Sequence, residues 1–360
     1  LAIGSIGEDT IGAVYIYEKS EKGIWHLLQI IKPENGNIQD QFGASVSLSE
    51  DHLAIGSIWH DMSINDSTKI NEAGAVYTYK MGEDGLWKNN QILYAFDAGS
   101  ADHFGIALDI QSNELIVGAI WNDFNEKGKQ YRPDAGAAYI YRYENGEWNF
   151  AQKIVASDRV GIELFGISVS LDNDYAAIGA YRNSVDSKGK KYLEFSGAAY
   201  VFKKDENGLY EEQQKIFPDK RKKDAFFGYC VNLNDKELLV SEYHSSDTNN
   251  ENQLKEAGAV YSFLLQDDKW IQNQKIVPLE RHEKAYFGEF IDRQGDILAI
   301  GAMGENFDEA GENRIDSAGA IYVFEKGPEG HWFQKTKLVH KDRHTGDQLG
   351  VSVSIYGEQI

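Results

Sequence analysis

Two tryptophans, Trp59 and Trp121, are the residues of this sequence whose type and surroundings best suit ligand chemistry. They occur in matching tetrapeptides, IWHD and IWND, at corresponding points of two successive repeats. An indole ring can stack on the C–H face of a sugar while nearby Asp, Asn and His side chains bind its hydroxyl groups. The tetrapeptides therefore have two interpretations: both indoles pack beneath the loops that follow them, or, as the alternative, they form a carbohydrate site.

Corresponding positions in later repeats extend this set of candidates. Arg182, His244 and Gly304 occupy the place of the two tryptophans, and tyrosines precede the first two of them. The predicted ligand-binding residues are Trp59, His60, Asp61, Trp121, Asn122, Asp123, Tyr181, Arg182, Tyr243, His244 and Glu305. They predict a face that binds a protein or a glycan.

No residue pattern indicates a catalytic centre. The histidines are scattered, and the sequence has no GxSxG, HExxH or nucleotide-binding loop. We therefore expect a non-catalytic protein. Carboxylates are abundant, so a polysaccharide hydrolase or lyase with carboxylates at the rim of the loops stays open as an alternative.

Charge and composition exclude several classes of partner. Asp and Glu total 57 against 36 Lys and Arg, and this net charge of −21 repels nucleic acid and anionic lipid surfaces. No run of 18 apolar residues exists, so we expect no membrane insertion as a helix. The single cysteine, Cys230, excludes an internal disulfide framework.

The candidate residues are positioned by a sequence repeat. A Phe-Gly pair begins at Phe42, Phe104, Phe165, Phe227 and Phe287 and returns as Leu349-Gly350, in steps of 62, 61, 62, 60 and 62 residues. A glycine followed by alanine keeps the same phase, at Gly12, Gly74, Gly136, Gly197, Gly258 and Gly319. Six copies of this period indicate a repeat architecture.

Each repeat predicts four short β-strands. FGASVSL alternates apolar and polar residues, LAIGS is nearly continuously apolar, GAVYTY has two tyrosines on one face, and the fourth segment carries an aromatic residue followed four positions later by glutamine, as in Trp87 and Gln91. Six such modules predict an all-β chain folded as a β-propeller of six four-stranded antiparallel blades.

The ends of the sequence predict how this ring closes. The C-terminal LGVSVSIYGEQI is a first strand without its second, and the N-terminal LAIGS is a second strand without its first. We therefore predict one domain with blades at residues 349–360 plus 1–41, 42–103, 104–164, 165–226, 227–286 and 287–348, in which a C-terminal first strand joins N-terminal strands two to four. A fragment of a longer array, with more blades, is the alternative.

Phe-Gly at the start of the first strand and a Gly-Ala or Gly-Ser step at the end of the second resemble the FG-GAP repeat of integrin α-subunit propellers. The resemblance covers essentially the whole chain and implies an extracellular or cell-surface location and a role in adhesion or, in some members, as a lectin. Integrin-type repeats carry a calcium loop between strands one and two, but here that link is too short to surround a cation. Integrin propellers also have seven blades.

Function is expected in the loops between the second and third strands, which are long and emerge on one face. The expected function is a non-catalytic binding propeller acting in adhesion, surface recognition or assembly, with a lectin using Trp59 and Trp121 as the sharper version and a structural module as a further alternative. No cofactor is predicted. Calcium is a possibility at the acidic residues of these loops, namely Asp61, Asp66, Glu72, Asp123, Asp134, Asp308, Glu309 and Asp316.

Overall fold

The computed structural model describes residues 1–33, 36–65, 68–186, 189, 191–249, 252–357 and 359–360. Contacts within the chain divide it into two compact units. The first unit comprises Leu1–Ala176 and Lys203–Glu211, and the second comprises Ala177–Phe202 and Glu212–Ile360.

Blades 1, 2 and 3 belong to the first unit. Blade 1 has three strands, β1 (Ala2–Ser5), β2 (Ala13–Lys19) and β3 (Trp25–Ile31). Blade 2 is built from β4 (Phe42–Ser49), β5 (His52–Ser57), β8 (Ala75–Met81) and β9 (Trp87–Leu93). The loop after β5 contains a separate hairpin of β6 (Met62–Asn65) and β7 (Thr68–Ile70). Blade 3 contains β10 (Leu108–Gln111), β11 (Glu114–Ala119), β12 (Ala137–Glu144) and β13 (Glu147–Ile154).

Blade 4 contributes residues to both units. Its strands are β14 (Val169–Asp172), β15 (Tyr175–Ala180), β16 (Ala198–Lys204) and β17 (Tyr210–Ile216).

Blades 5 and 6 belong to the second unit. Blade 5 pairs β18 (Phe227–Asn234), β19 (Glu237–Glu242), β22 (Ala259–Gln266) and β23 (Lys269–Ile276), and its long loop contains β20 (Asp247–Asn249) and β21 (Asn252–Leu254). Blade 6 pairs β24 (Ile291–Gln294), β25 (Ile297–Ala302), β26 (Ala320–Lys326) and β27 (Trp332–Leu338).

The predicted fold class, an all-β propeller of six antiparallel blades, is confirmed. Blades 2 to 6 have the expected four strands, and blade 1 has three among the residues described. Closure of the ring by the C-terminal strand, the blade boundaries and the single-domain assignment stay predictions.

The Phe-Gly and Gly-Ala pairs form one contact between successive blades. Phe104 is fully buried, and its ring meets the ring of Tyr139 edge-on at 5.3 Å. The backbone of Phe104 forms a parallel bridge with Gly74, the glycine of the preceding Gly-Ala pair. The same bridge joins Gly136 to Phe165 and Gly258 to Phe287, so each repeat fixes the start of the next.

The strand-four glutamine is a second link between blades. The side chain of Gln91 donates from Nε2 to the carbonyl oxygen of Trp148 at 3.1 Å and accepts from the Trp148 N–H at 2.9 Å. Gln29 and Gln274 make the same pair of bonds to Trp87 and Trp332. The glutamine thus satisfies both backbone groups of the aromatic residue in the next blade. These paired hydrogen bonds fix the fourth strand of one blade against the fourth strand of the next.

Candidate functional site

In each of the long loops of blades 2 and 3 (residues 58–74 and 120–136), an aspartate near the start of the loop is hydrogen-bonded to the backbone near its end. Asp61 Oδ1 accepts the backbone N–H of Glu72, and Asp123 Oδ1 accepts that of Asp134, both at 2.9 Å. In the second unit, Ser184, Ser246 and Asn306 accept the N–H of Phe195, Glu256 and Ser317 in the same way. The predicted ligand residues Asp61 and Asp123 thus hold each loop in shape.

His60 and Asn122, which immediately precede these aspartates, point into the protein. His60 is buried, with Nδ1 3.0 Å from Asp40 Oδ2 and Nε2 3.2 Å from the Tyr94 hydroxyl. Asn122 is completely buried, donates to Asp102 Oδ2 at 2.8 Å and accepts from Lys153 Nζ at 2.7 Å. Both side chains therefore anchor the loop entrance from below.

Glu305, the corresponding residue of blade 6, is also a buried anchor. It accepts hydrogen bonds from the Tyr322 hydroxyl at 2.9 Å and the Phe307 N–H at 2.9 Å, and His282 Nδ1 lies 2.9 Å from its Oε1. Burial alone raises the pKa of Glu305, but the bonds from Phe307 and His282 outweigh burial and hold the pKa below its usual value. Glu305 is therefore a satisfied internal carboxylate.

Trp59 and Trp121 behave differently, because both indoles reach the surface. Trp59 is 37% exposed and Trp121 is 39% exposed, so neither is buried beneath its loop. His103 joins them: its ring stacks on Trp121 with centroids 4.5 Å apart and lies 6.5 Å from the ring of Trp59. We call Trp59, His103 and Trp121 the Trp platform.

His103 is held in place by its backbone and is largely buried. It precedes a Phe-Gly pair, has a positive φ of 53°, and donates its N–H to the carbonyl oxygen of Glu72 at 3.4 Å. Its Nε2 lies 3.8 Å from a carboxylate oxygen of Glu72. Burial lowers the pKa of His103, with the charge of Glu72 opposing the shift, so the ring is neutral at neutral pH and supports Trp121 as an uncharged packing partner.

In the second unit, Phe226 directly precedes a Phe-Gly pair, as His103 does in the first unit. Its ring centroid lies 5.4 Å from that of Tyr181 and 4.5 Å from that of His244. The Arg182 guanidinium lies over the rings of Tyr181 and Phe195, at 5.5 and 5.7 Å. The predicted residues Tyr181 and His244 are thus joined by an aromatic residue that sequence reasoning did not select.

Tyr243 is the centre of a stack of rings in the same unit. Its ring is nearly parallel to those of Tyr229 and Tyr286, with centroids 4.3 and 5.0 Å away. Tyr229 donates its hydroxyl to Glu289 at 3.3 Å, and burial raises the pKa of that carboxyl. A cleft of about 430 Å³ lies beside His244. Its lining is mainly charged, with Lys222, Lys223, Asp224, Lys255 and Glu256.

Calcium binding stays a hypothesis. Within the described ranges, no three His, Cys, Asp or Glu side chains are grouped closely enough to hold a metal ion. Asp308 uses its Oδ1 to accept the N–H groups of Ala310 and Glu312, and Asp66 lies outside the described residues.

The described part of the chain has no helix of the length and apolarity that spanning a membrane would require.

Comparison with known proteins identifies the repeat. Residues 25–79, 87–141 and 148–202 each match the family described as FG-GAP repeat. A candidate 6-phosphogluconolactonase from Bacteroides fragilis NCTC 9343 has a similar structure, with a TM-score of 0.56 and 12% identity over 95% of this chain and 79% of its own. A protein from Lactobacillus plantarum gives a TM-score of 0.46 and 11% identity over 81% and 68% of the two chains. No curated protein sequence matches. At this identity the structural likeness concerns the fold alone.

Proposed function

Since this chain belongs to the FG-GAP repeat family, whose propeller fold suits a binding or structural role, we propose that it is a non-catalytic binding protein whose ligand is a carbohydrate. The observation that carries the proposal is the Trp platform. Two exposed indoles from adjacent blades flank one neutral imidazole ring. An extracellular or cell-surface location, with a role in adhesion or recognition, is the setting in which we place this activity, because such a setting is typical of the family.

The geometry of the Trp platform favours a sugar ring over a purely polar ligand. Trp59 and Trp121 each leave more than a third of their surface in water, and a stacked pyranose would remove much of that apolar area from solvent. Asp61 and Asp123 close the loops that follow the two indoles. Little conformational entropy would therefore be lost on binding, because the platform is already ordered.

We expect Trp59→Ala and Trp121→Ala each to weaken glycan binding about tenfold or more, since truncating an aromatic anchor typically removes more than about 1.4 kcal/mol. A glycan array probed with the full chain selects the ligand, and isothermal titration of wild type and both variants measures the loss. Unfolding midpoints should stay within a few degrees of wild type, because both indoles are partly exposed.

Phe333→Ala is the matched control, because Phe333 is a 58% exposed aromatic residue of blade 6 and lies outside the Trp platform. Unchanged affinity in both tryptophan variants, or an array on which nothing binds, would count against the proposal. Release of reducing ends from a bound polysaccharide would instead favour the hydrolase alternative.

A further inference from the structure

We propose that the carbohydrate bound at the Trp platform is acidic, and that its carboxylate or sulfate groups pair with a basic tip on the long loop of blade 3. This inference rests on the function proposed above. The basic tip is residues 127–132, KGKQYR, which carry Lys127, Lys129 and Arg132 and no carboxylate. In a chain of net charge −21, these three cations within six residues form a local concentration of positive charge.

The cations of the basic tip are available to a ligand. Lys127, Lys129 and Arg132 are all exposed. In the ranges that the structure describes, none of the three has a carboxylate oxygen within 4.0 Å, whereas exposed lysines such as Lys88 and Lys335 do. Their charges are therefore not neutralised by a fixed partner.

The loop holds the basic tip in a defined position. Asn125 Oδ1 accepts the N–H groups of Lys127 and Lys129, at 3.1 and 3.0 Å. The Arg132 N–H donates to the carbonyl oxygen of Asp123 at 2.7 Å. The N–H groups of both lysines are thus used within the loop, and the chain returns at Arg132 to a point close to its entrance.

This fixed loop brings the backbone of Arg132, at the end of the basic tip, close to the chain segment that carries Trp121. Arg132 is bonded to Asp123, and Asp123 lies two residues after Trp121. The Arg159 guanidinium connects the basic tip to the start of the loop, because it donates to the carbonyl oxygens of Gln130 and Asn122, each at 3.3 Å. Since Asn122 is the direct neighbour of Trp121, the basic tip and Trp121 belong to one loop held by the same hydrogen bonds.

An acidic sugar would use both features, and a neutral sugar only one. Its ring face would stack on the indoles, while its anionic group would meet ammonium or guanidinium donors in charge-assisted hydrogen bonds. Because the chain carries a net charge of −21, the locally basic tip would also favour one orientation of the anionic ligand on the platform.

The test compares acidic and neutral oligosaccharides of equal length on the full chain by isothermal titration. Oligogalacturonate provides carboxylates, a sulfated oligosaccharide provides sulfates, and a cello-oligosaccharide is the neutral probe. We expect at least one acidic probe to bind more tightly than the neutral one. The triple variant Lys127→Ser, Lys129→Ser, Arg132→Ser should lose about tenfold for that probe and nothing for the neutral one.

Lys19→Ser with Lys22→Ser is the control, since both lysines are exposed at the hairpin between β2 and β3, away from the long loops. Acidic probes that bind no better than the neutral one, or a triple variant that matches this control, would overturn the inference. Loss of neutral-probe binding in Trp59→Ala would still support the carbohydrate site in that case, so the two proposals fail separately.

Discussion

Gly74→Ala is expected to destabilise the protein by about 3–5 kcal/mol, the range of severe single substitutions. Gly74 has a φ of +83°, which side-chain-bearing residues rarely adopt. A Cβ atom there would lie 2.2 Å from the carbonyl oxygen and 2.5 Å from the nitrogen of Phe104. Both are backbone atoms of the next blade, so no side-chain rotation can relieve the clash. Urea unfolding followed by tryptophan fluorescence measures the change.

Gly85→Ala separates the two causes of this loss. Gly85 has a similar φ of +76°, but a Cβ atom at this position would meet nothing within 4 Å. It should therefore cost only the backbone strain, about 1–2 kcal/mol. Equal destabilisation by the two variants would contradict our explanation of the repeat, in which the glycine of the Gly-Ala pair recurs because the next blade leaves no room for a side chain.

The sequence predicts this fold well because the same local pattern recurs in phase. Alternating residues, short turns and the aromatic-to-glutamine spacing all indicate strands, and six copies leave little choice of architecture. The pattern did not show that Gly74 and Phe104 touch, or that Gln91 binds the backbone of Trp148. Those contacts join residues that are 30 and 57 positions apart, and periodicity alone does not say which copies meet.

The candidate site was harder to predict, because one residue type serves two purposes. An aspartate at the entrance of a loop can accept a ligand's hydroxyl or the loop's own N–H, and Asp61 and Asp123 accept the latter. His103 was not selected, since it lies outside the loops that follow Trp59 and Trp121 and directly precedes the next Phe-Gly pair. Its position directly before a Phe-Gly pair could nevertheless have marked it as a structurally equivalent position of the repeat. The structure shows this equivalence, because the corresponding residues share its positive φ, namely Gln41, Leu164, Phe226, Tyr286 and Gln348.

A second large effect is expected where blades 5 and 6 share a buried carboxylate. Glu237 is almost completely buried, and its Oε1 accepts Trp332 Nε1 at 2.9 Å. Its Oε2 lies 2.7 Å from Lys326 Nζ and 3.1 Å from an Arg293 nitrogen. Burial alone raises the pKa of Glu237, but hydrogen bonds from Lys326, Ser262 and Trp332 outweigh it and hold the pKa below its usual value of 4.5.

Glu237→Ala should therefore cost about 3–5 kcal/mol at pH 7, because it leaves the buried Arg293 guanidinium without its counter-charge. Glu325→Ala is the control: its ion pair with Lys335 is exposed on both sides and should contribute at most about 1 kcal/mol. Urea unfolding midpoints of the two variants and wild type give the comparison.

The lowered pKa of Glu237 also fixes the direction of a pH effect. A carboxyl whose pKa is lower in the folded state stabilises the fold above its unfolded pKa, and this stabilisation is lost as the pH falls through the folded value. Wild type should consequently lose stability below about pH 4.5, and Glu237→Gln should lose less over the same interval because the amide does not titrate. Parallel acid profiles for wild type and Glu237→Gln would mean that the pKa of Glu237 is the same in the folded and unfolded states, and would contradict this prediction.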